Sequence, residues 1–317
     1  MGTYVVRRLF QMIPMVLGMT VVIFAIIQAA PGGPEAILLD SPRFIDPEVL
    51  ERYRQRLGID QPVHIQYMRW LGAALTGDLG VSFSSNRPVI SVILERLPAT
   101  FELMGAAFLV AGVLALSIGI LSAVKQYSWM DHLGTAFSFG GIAMPVFWFA
   151  LILQLVFGVW LGWLPVSGTR TVGVDSMVDH LKHLVLPATV LSLHYVAGWS
   201  RYLRSSMLEV LRTDFVRTAR AKGLAERVVV GGHALRNAMI PVVSVMALNL
   251  SGLFSGAVIT ETIFAWPGIG RMFVQAMFSR DYPLLMGILL LGSTMVVVFN
   301  LIADILYGVL DPRIRYE

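Results

Sequence analysis

Six apolar runs, each about twenty residues or longer, divide this sequence and limit its fold more than any other feature. They cover roughly residues 9–30, 101–124, 134–160, 184–203, 240–263 and 284–310. At 1.5 Å per residue, about 20 helical residues cross a hydrocarbon core of about 30 Å. Lipid offers no hydrogen bonds, so each run must pair its own backbone groups, and the helix does this within one segment. The expected fold is all-α: a polytopic membrane protein with six transmembrane helices. Composition agrees, since only 14% of residues are charged against about a quarter in soluble domains.

Charge sets the orientation. Arg7 and Arg8 precede the first run, which is longer than the apolar core of a cleaved signal peptide and reads as a retained span. Lys125, the eight Lys and Arg between Arg201 and Arg236, Arg313 and Arg315 then fall on the same side as the N-terminus. The two short loops on the other side carry only Arg170, Lys182, Arg271 and Arg280. The positive-inside rule puts both termini and the long basic loop in the cytoplasm. The reading by segments is residues 1–30 as basic start and first span, 31–99 as an external helical insertion, 100–310 as a five-helix core with a cytoplasmic loop at 205–240, and 311–317 as a cytoplasmic tail.

The insertion has helix signals of its own. Asp46-Pro47-Glu48 predicts a capped start closed by Gly58, Pro62 opens an amphipathic piece with Tyr67, Trp70 and Leu71, and a third piece runs from Pro88 to Leu97 before Pro98. Polar residues within the spans are few. Glu102 falls at an outer edge, Asp304 in the last span, and Arg201 and Arg204 at an inner end where they can snorkel. Gln28, Gln154, His194 and Asn249 suit interhelical hydrogen bonds, with substrate contact the less favoured use. His180 and His183 make an isolated pair, weak evidence for a metal site. At the outer end of the fifth span, Glu261 lies near the interface, Trp266 suits the headgroup belt, and Pro267-Gly268 predicts a turn.

Several chemistries are excluded or unsupported. With no cysteine there is no disulfide and no thiol nucleophile. No phosphate-binding glycine loop, HExxH or GxSxG is present, so no enzyme activity, cofactor or metal is expected on this chain. The basic residues are spread over loops and form no nucleic-acid-binding block.

The loop from Ser205 to Pro241 is the long polar interruption of the second half. Asp214 occupies the expected N-cap and Gly223 the expected C′ position, with FVRTARAK forming about two helical turns between them. On charge alone, anchoring of the loop at the cytoplasmic side of the membrane accounts for its arginines better than docking does.

RTARAKG followed by HALRNAMIP resembles the cytoplasmic loop signature of ABC importer permeases of the oligopeptide/dipeptide/nickel branch. Arg217, Thr218 and Ala219 take the Glu-Ala-Ala positions of the general pattern, and Gly223 takes the glycine. PGGP, LGIDQP, GDLGVSF, LPATFEL, ETIFAWPGIG, RDYP and the DPRIRY ending match the same family in order, from end to end of the chain. The resemblance implies a type I importer fold and a permease subunit for dipeptides or oligopeptides, forming half of the translocation pathway in a bacterial cytoplasmic (inner) membrane. Glutathione or a nickel complex is an alternative cargo. It implies a second homologous permease, two cytoplasmic ATPases that carry ATP and Mg, an external substrate-binding protein, lipid around the spans, and no nucleic acid. Asp214, Phe215, Val216, Arg217, Thr218, Ala219, Arg220, Ala221, Lys222 and Gly223 would form the ATPase-coupling helix, and Glu261, Trp266, Pro267 and Gly268 an outer gate region. The rival reading is an ion-gradient-driven secondary transporter or channel, for which the spans hold no acid/base relay.

Overall fold

The computed structural model describes the backbone of residues 2–29 and 61–310, with side chains outside that description at 2–6, 255–256 and 307–310. The expected helix at 46–58, PGGP, most of LGIDQP and the DPRIRY ending lie outside the described residues.

Among the described residues the helices, apart from a single short turn at Glu226–Val228, are α1 (Gly2–Ala29), α2 (Val63–Leu75), α3 (Val89–Val124), α4 (Trp129–Ala143), α5 (Val146–Leu153), α6 (Met177–Val210), α7 (Asp214–Ala221), α8 (Leu235–Leu248), α9 (Leu250–Ile263), α10 (Ile269–Phe278) and α11 (Tyr282–Leu310). Two π-helical stretches extend them, Gln154–Trp160 after α5 and Val229–Ala234 before α8. Four helical stretches are long and apolar enough to cross a membrane, and a fifth joins them if α4 and α5 with its extension count as one bent span. The 34-residue α6 has the length, while His183, Ser192, His194 and Ser200 lower its hydropathy.

Three boundaries differ from the sequence reading, each for a local reason. The third run is not one straight span: it breaks between α4 and α5 with a bend of 110°. Pro145 has no N–H to continue the ladder and pushes Met144 into extended backbone (φ −83°, ψ 125°). The fifth run divides at Asn249, which ends α8 and begins α9. Conversely, Pro98 does not separate two helices. It sits inside the continuous 36-residue α3, about 54 Å long at the helical rise.

The chain forms two compact units. One comprises Ala99–Pro267 and Val298–Glu317. Its organising element is α6, which contributes to each buried cluster described there. Leu184, Ala188 and Leu191 meet Leu103 and Ala107 of α3 and Leu253 and Ala257 of α9. Val196 and Trp199 meet Ala111 and Ala115 of α3, and Leu186 and Val190 meet Ala150 of α5 and Phe264. Close approach needs small residues: a Cβ on Gly119 of α3 would come within 2.9 Å of the Leu203 Cβ on α6. Arg204 is held by a partner on another helix. Its Nε and Nη2 donate to the two carboxylate oxygens of Asp131 on α4, both at 2.7 Å, and Asp131 is buried.

The other unit comprises Gly2–Pro98 and Gly268–Val297. Here α2 packs on α1: the Tyr67 and Thr20 hydroxyls are 2.9 Å apart, and Phe24 meets Tyr67 edge-on at 5.4 Å between ring centres. Asp281, the N-cap of α11, is fully buried, and residues 82–84 enclose its carboxylate. The Ser82 hydroxyl (2.6 Å), Phe83 N–H (3.0 Å) and Ser84 N–H and hydroxyl (3.0 and 2.7 Å) all donate to it, as does the Leu284 N–H at 3.3 Å. Burial pushes this carboxyl up, but the converging donors outweigh it and hold the group below the ordinary aspartate range.

Candidate functional site

The basic segment singled out in the sequence folds as α7, eight residues long. Its N-cap is Thr213 rather than Asp214, which is the first helical residue. The Thr213 hydroxyl donates backwards to the Val210 carbonyl at 2.6 Å, and no side chain caps the helix N–H groups. Asp214 still acts on the helix start, as an acid in the first turn paired with Arg217 at 3.3 Å. Thr218 donates to the Asp214 carbonyl at 2.9 Å.

The other end of α7 matches the expectation. Gly223 lies at φ +74°, its N–H reaches the Arg220 carbonyl at 2.9 Å, and the Leu224 N–H reaches the Ala219 carbonyl at 3.4 Å. These two bonds form a Schellman closure, which needs a left-handed residue at this point. Arg220 then spans the turn, donating from Nε and Nη2 to both oxygens of Glu226 at 3.2 and 2.7 Å. The pair holds the Glu226 carboxyl below its usual range.

One face of α7 belongs to the protein. Val216 and Ala219 are buried in a cluster with Leu203 and Met207 of α6, Val229 and Ala234 of the π-helical stretch, and Ala238 and Val242 of α8. Ala219 is turned inward with Val216, and of the two alanines of α7 only Ala221 is exposed. Asp214, Phe215, Arg217, Thr218, Arg220, Ala221, Lys222 and Gly223 face outward. Phe215 is 45% exposed, a large apolar side chain among cations. The helix is thus a rigid projection, clamped between the end of α6 and the start of α8, with a surface of mixed charge and one aromatic.

At the other end of the first unit, Glu261 and Trp266 are both fully buried, so the Trp266 indole does not face headgroups as the sequence reading had it. The Thr100 hydroxyl donates to Glu261 at 2.7 Å, and the Trp266 indole N–H donates to the Ala99 carbonyl at 2.8 Å. The turn that brings them inward is again a Schellman closure: Ala265 lies at φ +51°, and the Trp266 N–H reaches the Glu261 carbonyl at 2.9 Å. Pro267 follows this turn and ends the unit, and Gly268 is the extended N-cap of α10.

The two histidines of the outer loop do not face one ligand. Nε2 of His180 pairs with Glu102, its Nδ1 lies 2.9 Å from the Thr169 carbonyl, and its ring packs on Trp266 at 5.8 Å. The Glu102 bond raises the His180 pKa above the usual imidazole value, against the opposing effect of burial. His183 turns instead to the Asp179 carbonyl at 2.9 Å. Sequence reasoning missed Asp131 altogether. An aspartate three residues after Ser128, at the start of an apolar run, was the available signal.

Residues 115–316 match the model of a family described as binding-protein-dependent transport system inner membrane component, and residues 1–104 match the corresponding N-terminal family. The oligopeptide transport system permease protein AppB of Bacillus subtilis is 43% identical over all of both chains. The di/tripeptide transport system permease protein DppB of Pseudomonas aeruginosa is 42% identical, again over all of both. The glutathione transport system permease protein GsiC of Salmonella paratyphi A is 40% identical over the same share. Among solved structures, a chain of the MetNI methionine ABC transporter in inward facing conformations is 14% identical. It aligns with a TM-score of 0.58 over 70% of this chain and 97% of that one, a likeness of fold. The chain belongs to the family of binding-protein-dependent transport system inner membrane components.

Proposed function

We propose that this chain is the peptide-importing permease half of an ATP-driven transporter, and that α7 is its coupling helix. The observation that carries the reading is the mounting of α7. Its buried face joins α6, the π-helical stretch and α8 in one apolar cluster, so a push on α7 reaches the membrane helices without passing through a flexible loop. The full-length likeness to peptide permeases supports the cargo class, and the glutathione permease among the relatives fits it, since glutathione is itself a tripeptide.

In this reading a second, related permease completes the pathway. Two ATPases on the cytoplasmic side bind ATP and Mg, and a substrate-binding protein delivers peptide from outside. ATP draws the ATPases together, α7 moves with the subunit on which it is seated, and α6 and α8 carry the displacement into the pathway. Only the difference in ATP affinity between the two states can drive the switch. Both termini lie in the cytoplasm, residues 31–99 fall on the external side, and the Glu261–Gly268 turn borders the outer end of the path.

The test is purification of the tagged chain from its native membrane in mild detergent, followed by reconstitution with the binding protein. A second permease and two ATPases should co-purify, and peptide uptake should require ATP. Uptake by the chain alone, driven by an ion gradient, would overturn the reading in favour of a secondary transporter.

A further inference from the structure

A cavity of about 520 Å³ opens beside α6 within the first unit. Its lining includes His194, Tyr195 and Arg201 of α6, and Asn249, Ser251 and Gly252 where α8 passes into α9. Three features set it apart from a packing defect. The fifth run is interrupted at Asn249, where α8 gives way to α9 at the cavity wall. Arg201 has no acidic partner among the described residues; its guanidinium lies over the Phe139 ring at 5.8 Å, beside a second cavity of about 240 Å³ that Arg201 also lines. No Asp or Glu lines the cavity.

The remaining polar atoms have a definite sense. Trp199 can only donate, and its indole N–H is 2.8 Å from the Asn249 side-chain oxygen. That contact fixes the Asn249 amide with its oxygen occupied, so the two amide N–H donors are left for the cavity. The Tyr195 hydroxyl stands 2.9 Å from the place a Cβ on Gly252 would fill, so the glycine leaves room for this further donor. Guanidinium, amide N–H groups and the phenol O–H supply donors with no carboxylate beside them, alongside two groups of either sense, the His194 imidazole and the Ser251 hydroxyl. Such a set matches carboxylate and carbonyl oxygens and disfavours ammonium groups.

We propose that this cavity is a transit site for peptide carboxylate, with Arg201 supplying the charge and Asn249 the orienting amide. The inference rests on the peptide-importer reading and deepens it. A small peptide always presents carbonyl oxygens and a terminal carboxylate, whatever its side chains, so a site reading only those groups serves varied sequences. An exposed guanidinium and one oriented amide bind weakly enough for release, as a transit site requires.

The natural absence of cysteine in this chain makes a direct test possible. In the purified transporter complex carrying Ser251→Cys, modification of this chain by a neutral methanethiosulfonate reagent is followed by mass spectrometry. Trialanine should slow the modification, and trialaninamide should not. Adding Arg201→Gln should raise the half-protecting trialanine concentration about tenfold, the loss of one charge-assisted hydrogen bond, and Arg201→Lys should recover part of it. Equal protection by acid and amide, no protection by either, or indifference to Arg201 would overturn the proposal. Protection without peptide in phosphatidylglycerol nanodiscs but not in phosphatidylcholine would assign Arg201 to a lipid headgroup and overturn it too. Wild-type trialanine uptake separates the two readings: without ATP dependence the importer reading fails, whereas ATP-driven uptake with unselective protection sinks only the transit site.

Discussion

The closure of α7 at Gly223 gives the sharpest prediction, because its causes can be separated. Gly223 lies at φ +74°, and a Cβ added there would meet nothing within 4 Å. Substitution within this chain therefore costs backbone strain and no steric clash. For an L-residue the left-handed region costs roughly 1–2 kcal/mol, less for Asn, and more for a β-branched residue. A loss of that size shifts the closed-to-open ratio of the turn by a factor of about 5–30. The bonds that report it are the Gly223 N–H to Arg220 and the Leu224 N–H to Ala219. Hydrogen–deuterium exchange of the assembled complex should show the position-224 amide exchanging faster in the order Gly, Asn, Ala, Val. ATP-driven uptake should fall in the same order while membrane insertion is unchanged. Gly223→Glu adds an acid to the outward surface and should reduce uptake below Gly223→Ala. If Asn, Ala and Val exchanged alike and transported like the parent, strain at this turn would not govern α7 and the argument would fail.

Two further predictions concern pH and have opposite signs. Asp281 has a depressed folded pKa, so its buried carboxylate stabilises the protein above the unfolded value of about 3.9, and that contribution disappears as pH falls through the folded value. Asp281→Asn sets an amide donor against the Ser84 donors; it should cost about 2 kcal/mol near pH 7 and flatten the acid limb of a melting curve, with a parallel limb arguing against the carboxylate account. His180 has a raised folded pKa, so its bond to Glu102 contributes fully below about pH 6.5 and is lost as pH rises through the folded value. His180→Gln should lower the melting temperature at pH 6 more than at pH 8, and an equal loss at both would mean that the charge is not used.

Much of the candidate site was legible because it is local. Gly223 closes α7 through its own bond to Arg220 and that of Leu224 to Ala219, three and five positions back along the chain, whereas the burial of Ala219 beside Val216 came from packing. The first residue of α7 was misplaced by one position because threonine and aspartate are both good caps, and the Thr213 hydroxyl turns to a carbonyl behind it. Trp266 was read as an interfacial anchor since a tryptophan beside Pro-Gly at the end of a span suits that role. Its burial depends on the left-handed Ala265, which no sequence rule favours, and on the Ala99 carbonyl, 167 residues away.

The sequence by itself determined the apolar segments and the closure of α7 at Gly223. Each follows from composition, length or a spacing of a few residues, quantities that do not depend on what packs against them. Only the tertiary structure decided which polar groups are used and for what. Asp131 with Arg204, Asp281 with Ser82, and Asn249 with Trp199 are 73, 199 and 50 residues apart. A buried polar side chain must be satisfied by whatever donor or acceptor the packing brings beside it. Helices that cross a membrane pack side by side in an order that the chain does not spell out.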